Sequence, residues 1–165
     1  MEEAVERMRI VRNKGGRVSI ALGSYDVGTD GQKMAISEFS WATHSEGELF
    51  ILVGGDKEVA AERSIDRPYL PHGQRMEFVA QQPGVDWVAP ISLPGFRNKD
   101  ELIRNYGNFH HQLSGMAHCR LIGDKEDTYP IFLQQCNQAG ILLIHSESPR
   151  KSRATDVGRE LFKRI

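Results

Sequence analysis

The chain has 165 residues, of which 39% are hydrophobic and 26% charged, and its 21 Lys and Arg against 22 Asp and Glu give a formal charge of −1. One domain of this length, 1–165, buries a core without disulfides or metals, and the composition excludes a disordered or fibrous chain. The near-neutral balance argues against a dedicated binder of long nucleic acids.

The longest apolar runs, around Leu49–Val53 and Ala139–Ile144, are strand-sized, so no membrane span is expected. Met1-Glu2-Glu3 is acidic with no apolar run behind it, which gives no sign of a secretory signal and leaves a cytoplasmic location as the expectation. Cys119 and Cys136 lack CxxC spacing and read as buried thiols.

In chain order, Glu2–Arg12 carries Ala4, Val5, Met8 and Val11 at helical spacing, and Gly15-Gly16 stops that helix. Arg17–Leu22 reads as a buried strand, Gly23–Gly31 as a loop, and Gln32–Thr43 as a helix with Met34, Ala35, Phe39 and Ala42 on its apolar face. Glu48–Val53 is the second strand, ending in Gly54-Gly55-Asp56, and a short helix follows over Lys57–Arg63. A loop held by Pro68 and Pro71 leads to a helix running to Gln82, then to a third strand over Asp86–Ile91 that should stop at Pro90. Ser92–Asn98 is a loop, Lys99–Leu113 a helix, His118–Ile122 a strand, and Gly123–Asp127 a turn. Pro130–Gln138 is helical, Ile141–His145 is the fifth strand, and Ala154–Ile165 is the last helix. Trp41 and Trp87 read as core aromatics, and His110, His111 and His118 lack the companion ligands of a metal site.

Strands alternating with helices imply an α/β fold: a Rossmann-like, five-stranded, mainly parallel sheet with helices on both faces. Ligands of such sheets bind beyond the carboxyl ends of the strands, at the switch point. That rule directs attention to Gly23–Gln32, Gly54–Asp56, Pro90–Gly95, Gly123–Asp127 and the run before the last helix. The first of these, Gly23-Ser24-Tyr25-Asp26-Val27-Gly28-Thr29-Asp30-Gly31-Gln32-Lys33, is a glycine-rich strand-to-helix loop, whose amides and helix dipole favour an anion. It is neither GxGxxG nor a Walker A loop. Arg150, Lys151 and Arg153 gather three cations just before the last helix, a second place where charge and dipole act together.

In this order the features resemble the cytidylyltransferase-like nucleotidyltransferase superfamily. Gly23, Tyr25, Asp26 and Gly31 align without a gap to its GxFDxxHxGH loop, and Gly54-Gly55-Asp56 is similar to its NSD strand end. Arg67-Pro68-Tyr69-Leu70-Pro71-His72-Gly73-Gln74-Arg75 is similar to RPxxPxxxR, and Val85-Asp86-Trp87-Val88 to VDxV. Gly123-Asp124 resembles the turn after strand four, and Thr155-Asp156 the end of the last motif. The two family histidines are replaced by Thr29 and Gln32, which donate hydrogen bonds but carry no positive charge.

The resemblance implies transfer of a nucleotidyl group from CTP or ATP to a small phosphorylated acceptor, with pyrophosphate released and Mg²⁺ bridging phosphate oxygens. The phosphates would lie on the Gly23–Gln32 loop, with Thr29, Gln32, Lys33 and Arg153 in catalytic positions and Arg150 and Lys151 supplying further charge. Thr155 would hold terminal phosphates, Gly123-Asp124 would face the base, and Asp56 and Arg75 would shape the acceptor side. The resemblance also implies dimerisation. After that leading reading, the altered histidine positions suggest as alternatives a non-catalytic nucleotide-binding module that regulates or assembles, or a pocket rebuilt for a related phosphorylated ligand.

Overall fold

The computed structural model describes residues 1–43, 47–62, 66–91, 93–114, 116, 119–122, 138 and 142–145. The expected turn Gly123–Asp127, the helices Pro130–Gln138 (apart from Gln138) and Ala154–Ile165, and with them Gly123, Asp124, Arg150, Lys151, Arg153 and Thr155, lie outside the described residues, as does Cys136.

The order is α1 (Glu2–Asn13), β1 (Arg17–Gly23), α2 (Asp30–Thr43), β2 (Gly47–Gly54), α3 (Asp56–Glu62), α4 (His72–Ala80), β3 (Trp87–Ile91), α5 (Lys99–Ser114), β4 (Cys119–Ile122) and β5 (Leu142–His145). The strands form one parallel sheet in the order β3-β2-β1-β4-β5. The α/β class and the parallel sheet expected from the alternation are therefore what the chain adopts.

The pleat sorts the strand residues between two cores. Val18, Ile20, Phe50, Leu52, Ala89 and Ile91 face one side, where Ala4, Met8 and Val11 of α1 and Leu113 of α5 cover them. Ala21, Leu49, Ile51 and Val53 face the other, beneath Ala35, Ile36 and Phe39 of α2 and Val79 of α4. Burial of β2 on both faces explains its unbroken apolar run, which no amphipathic strand would show. Trp87 packs on the first core, stacked on Phe50 with ring centroids 6.2 Å apart.

Three expectations are corrected. Trp41 is not a core residue: it stands 85% exposed, and Met34 is 47% exposed. The buried face of α2 is Ala35, Ile36, Phe39 and Thr43, and at 100° per residue Met34 and Trp41 fall on the opposite side of the helix. Strand β3 runs through Pro90 to Ile91 instead of stopping, because β3 is an edge strand and a missing N–H costs nothing on its open side. Helix α2 begins at Asp30, two residues before the expected Gln32, for a reason that belongs to the site.

Candidate functional site

With β2 on one side of β1 and β4 on the other, the chain reverses direction across β1, and the crevice lies beyond the carboxyl ends of these strands. The segment leaving β1 at Gly23 and entering α2 at Asp30 forms its floor. The segment is built from the inside out. Tyr25 takes a left-handed conformation, φ 49°, that turns its ring into the core beneath α2. The ring lies so close to Gly23 that a Cβ there would stand 2.8 Å from it. Burial pushes the Tyr25 hydroxyl well above the ordinary phenol range, so it stays protonated. Gly28, φ +62°, presses on Phe78, and a side chain there would be both strained and 2.9 Å from that ring.

Asp26 is fully buried. Its Oδ1 accepts from the amides of Tyr69 at 2.6 Å and Leu70 at 3.3 Å, clamping the segment before α4 onto the loop after β1. Arg67 Nε lies 2.8 Å from Oδ2, and the guanidinium stacks over Tyr69 at 4.2 Å. The ion pair is close but off the hydrogen-bond axis, so Oδ2 receives no aligned N–H and Arg67 Nη1 has no partner among the described residues.

A second buried arginine ties four segments together. Arg75, on α4, has no exposed surface. Its Nε donates to Leu70 O at 3.0 Å, and its Nη1 to Ser24 O at 2.6 Å and Gly54 O at 2.8 Å. Its Nη2 reaches Asp56 Oδ1 at 2.6 Å, where the carboxylate is half-exposed at the start of α3. The guanidinium expected on the acceptor side is thus spent on carbonyls at the ends of β1 and β2 and on Asp56. Beside it, His72 Nε2 lies 3.1 Å from Val53 O and donates to that carbonyl.

Thr29 and Gln32, which the sequence resemblance sets at the histidine positions, face each other. The amide of Thr29 donates to Gln32 Oε1 at 3.1 Å, and the amide of Gln32 donates to Thr29 Oγ1 at 3.2 Å. This is a reciprocal capping box, and Thr29 O accepts the first helical bond from Lys33. It sets the start of α2 at Asp30, and it satisfies two of the helix's orphan amides from within the chain. Lys33 is exposed in the first turn, with Nζ 3.4 Å from Asp30 Oδ1.

The structure therefore brings Gly23, Tyr25, Asp26, Thr29, Gly31, Gln32, Lys33, Asp56 and Arg75 to one end of the sheet. Sequence reasoning quoted Arg67 and His72 within a motif and gave neither a role; the Thr-x-x-Gln spacing was itself the legible signal for the cap. Among the described residues, no group of three or more His, Cys, Asp or Glu is placed to hold a metal ion. No helix among them is long and apolar enough to cross a membrane. A shallow cavity of about 260 Å³ lined by Arg7, Gly16, Gly47 and Glu48 sits at the opposite, amino end of the strands.

No family model matches the chain, and no curated protein matches it in sequence. Among solved structures, the lipopolysaccharide core biosynthesis protein from Thermoplasma volcanium GSS1 superposes with a TM-score of 0.60 at 15% identity, over 82% of this chain and 99% of that one. A universal stress protein in complex with cAMP superposes with a TM-score of 0.43 at 8% identity, over 81% of this chain and 98% of that one. The first likeness shows a shared Rossmann-like fold across most of the chain, and activity has to be argued from the site.

Proposed function

We propose that the chain is a nucleotidyltransferase of the cytidylyltransferase-like kind, acting on CTP or ATP and a small phosphorylated acceptor. In the reaction an acceptor phosphate oxygen attacks the α-phosphorus, the bond from that phosphorus to the α–β bridging oxygen breaks, and pyrophosphate leaves. The observation that carries this reading is the braced loop at the switch point. Asp26 and Arg75 fix Ser24–Leu70 contacts and both strand ends, so the backbone between Gly23 and Gly31 meets a ligand already in place. Such preorganisation is the main source of catalysis in phosphoryl-type transfer, where positioning and charge outweigh covalent chemistry.

The triphosphate lies along that loop toward the first turn of α2. Magnesium would enter with the nucleotide, whose phosphates the Gly23–Gln32 loop would hold, and would supply positive charge to those phosphates. Thr29 and Gln32 donate hydrogen bonds once the ligand opens their mutual cap, while Lys33, Arg150, Lys151 and Arg153 supply the charge that the family histidines supply elsewhere. Thr155 takes the terminal phosphates, and Gly123-Asp124 faces the base. Asp26, Arg67 and Arg75 are positioning residues, and Asp56 lies where the acceptor enters. Pyrophosphate release, measured across the four NTPs with sugar phosphates and polyol phosphates, tests the reading. Sugar phosphates come first in the panel because the fold neighbour is a lipopolysaccharide core biosynthesis protein. Turnover with one pair supports it; background rates with every pair reject it.

The capping box favours a second reading, a nucleotide-binding module without catalysis. The side chains of Thr29 and Gln32 each accept from the other's backbone amide and carry no charge. Saturable NTP binding by calorimetry with no turnover, unchanged by Thr29→His with Gln32→His, selects it over the first.

A further inference from the structure

Helix α2 buries one face and leaves the other bare. Ala35, Ile36, Phe39 and Thr43 turn to the core, so at 100° per residue Met34, Ser37 and Trp41 form a stripe on the opposite side. All three are exposed, and Trp41, at 85%, is almost wholly in water. Burying an indole removes roughly 150–250 Å² from solvent, which is why aromatic side chains anchor interfaces.

The stripe has the spacing of a helix–helix seam, three residues from Met34 to Ser37 and four more to Trp41. It is also its own complement. When two copies of α2 pack antiparallel about a two-fold axis midway between Met34 and Trp41, each indole lies over the other copy's Met34. A thioether against an indole is a favourable contact, and Ser37 falls beside the axis, where a small side chain lets the two backbones approach. Charge agrees with the antiparallel sense. The last turn of α2 has no basic residue to offset the negative end of the helix, and the antiparallel register brings Lys33 of each copy to that turn of the other. Its contact with Asp30 within the chain is an exposed (i, i+3) pair, weak enough to yield. A parallel pair would set like ends of the two helices side by side.

We propose that this face of α2 binds the same face of a second copy of the chain, in an antiparallel two-fold dimer centred on Met34, Ser37 and Trp41 with Lys33 at its rim. Two tryptophans and two methionines bury less than the ~1,200 Å² of a lasting interface, so the dimer is a weak one that forms at high concentration and leaves Trp41 open in dilute solution. Met34 and Trp41 have no part in nucleotidyl transfer, so the pairing stands or falls apart from that reading.

The test is sedimentation velocity of the full chain from about 5 µM to about 1 mM, a range that brackets weak self-association. The expected result is a weight-average mass rising from monomer toward dimer. Over the same range, iodide quenching of Trp41, read in Trp87→Phe as the lone indole, should fall at least twofold. Trp41→Ser should stay monomeric throughout. Ser37→Arg and Ser37→Glu, each setting like charges beside the axis, should stay monomeric alone and associate when mixed, as a face that meets itself requires. Lys33→Glu, which sets a carboxylate against the other copy's last turn, should weaken association at least threefold. Each variant is checked for the wild-type unfolding midpoint. A monomer at every concentration, a dimer that Trp41→Ser leaves intact, or charge-swapped copies that do not associate would each overturn the proposal. So would protection of Trp41 that is equal at all concentrations, which would put a segment of its own chain on the indole, and an unchanged association in Lys33→Glu would overturn the antiparallel sense. The wild-type concentration series decides the matter even where a variant does not fold.

Discussion

Arg75→Met asks whether the buried guanidinium holds the site together. Methionine matches its length and apolar stem but removes every donor. Three backbone carbonyls, Leu70 O, Ser24 O and Gly54 O, lose their partner in a place with no exposed surface. An unsatisfied buried acceptor costs about 1–3 kcal/mol, and removing one member of a buried charged pair about 3–5 kcal/mol. Asp56 is half-exposed and recovers water when its partner goes, so the loss falls near the lower end, about 3 kcal/mol. At ~2–4 °C per kcal/mol for a domain of this size, the midpoint should fall by about 6–12 °C. Urea unfolding with an unchanged slope is the assay, since a constant slope shows that the native fold is still the one being unfolded. Arg75→Lys should recover only part of the loss, because one ammonium cannot span carbonyls on three segments. Asp56→Asn should cost no more than about 1 kcal/mol. A loss below about 1 kcal/mol for Arg75→Met would refute the clamp and return Arg75 to the role of a ligand-facing residue.

The cap, the buried phenol and the exposed indole give three further tests. Thr29→Ala should destabilise by about 1 kcal/mol in urea unfolding, and the double variant with Gln32→Ala should cost less than the two singles added, since each side chain serves the other's amide. Strict additivity would mean that the box is not formed. The raised ionisation of Tyr25 has a definite sign: the folded chain keeps its proton above pH ~10 while the unfolded chain loses it. Its contribution is therefore whole below that pH and declines above it, at up to ~1.4 kcal/mol per pH unit. Wild-type stability minus that of Tyr25→Phe, measured from pH 9 to about pH 11, should show this slope, and a flat difference contradicts a buried hydroxyl. Trp41→Ser should change stability by no more than about 0.5 kcal/mol, and in Trp87→Phe the remaining indole should be quenched by iodide nearly as fast as free tryptophan amide. Protection from iodide would place Trp41 against another surface.

The central sheet was legible because its signals were local. Val18, Ile20, Leu49–Val53 and Ala89 lie in short apolar runs bounded by glycines and prolines, and the alternation of such runs with helical periods leaves few topologies. Trp41 was misread because hydropathy ranks an indole with core residues, whereas the helix phase is set by Ala35, Ile36 and Phe39 together. Arg75 was harder still. Arginine is almost never fully buried unless paired, so a motif position with that residue suggests a ligand, and only the three-dimensional convergence of Ser24, Gly54, Leu70 and Asp56 shows the pairing. Thr29 and Gln32 show the reverse. Their spacing spelled a capping box in plain sequence, and comparison with the histidine motif drew attention to what the residues lack instead of what they do.

The charge balance of the crevice limits what the nucleotidyl-transfer proposal can ask of it. Asp26 is set against Arg67 and Asp56 against Arg75, so the braced part of the site is neutral in sum. Thr29 and Gln32 add no charge, and Lys33 is exposed and near Asp30. What this rigid framework offers a polyphosphate is shape, amides and the dipole of α2, the last partly spent on its own cap. Under the nucleotidyl-transfer proposal, net attraction would fall to Arg150, Lys151 and Arg153, far along the sequence from the loop they would serve. On that proposal, binding and positioning would be divided between two parts of the sequence. Removing Arg75 should slow turnover through disorder at the strand ends, whereas neutralising the three cations should weaken nucleotide affinity, in a salt-dependent way, without lowering the unfolding midpoint.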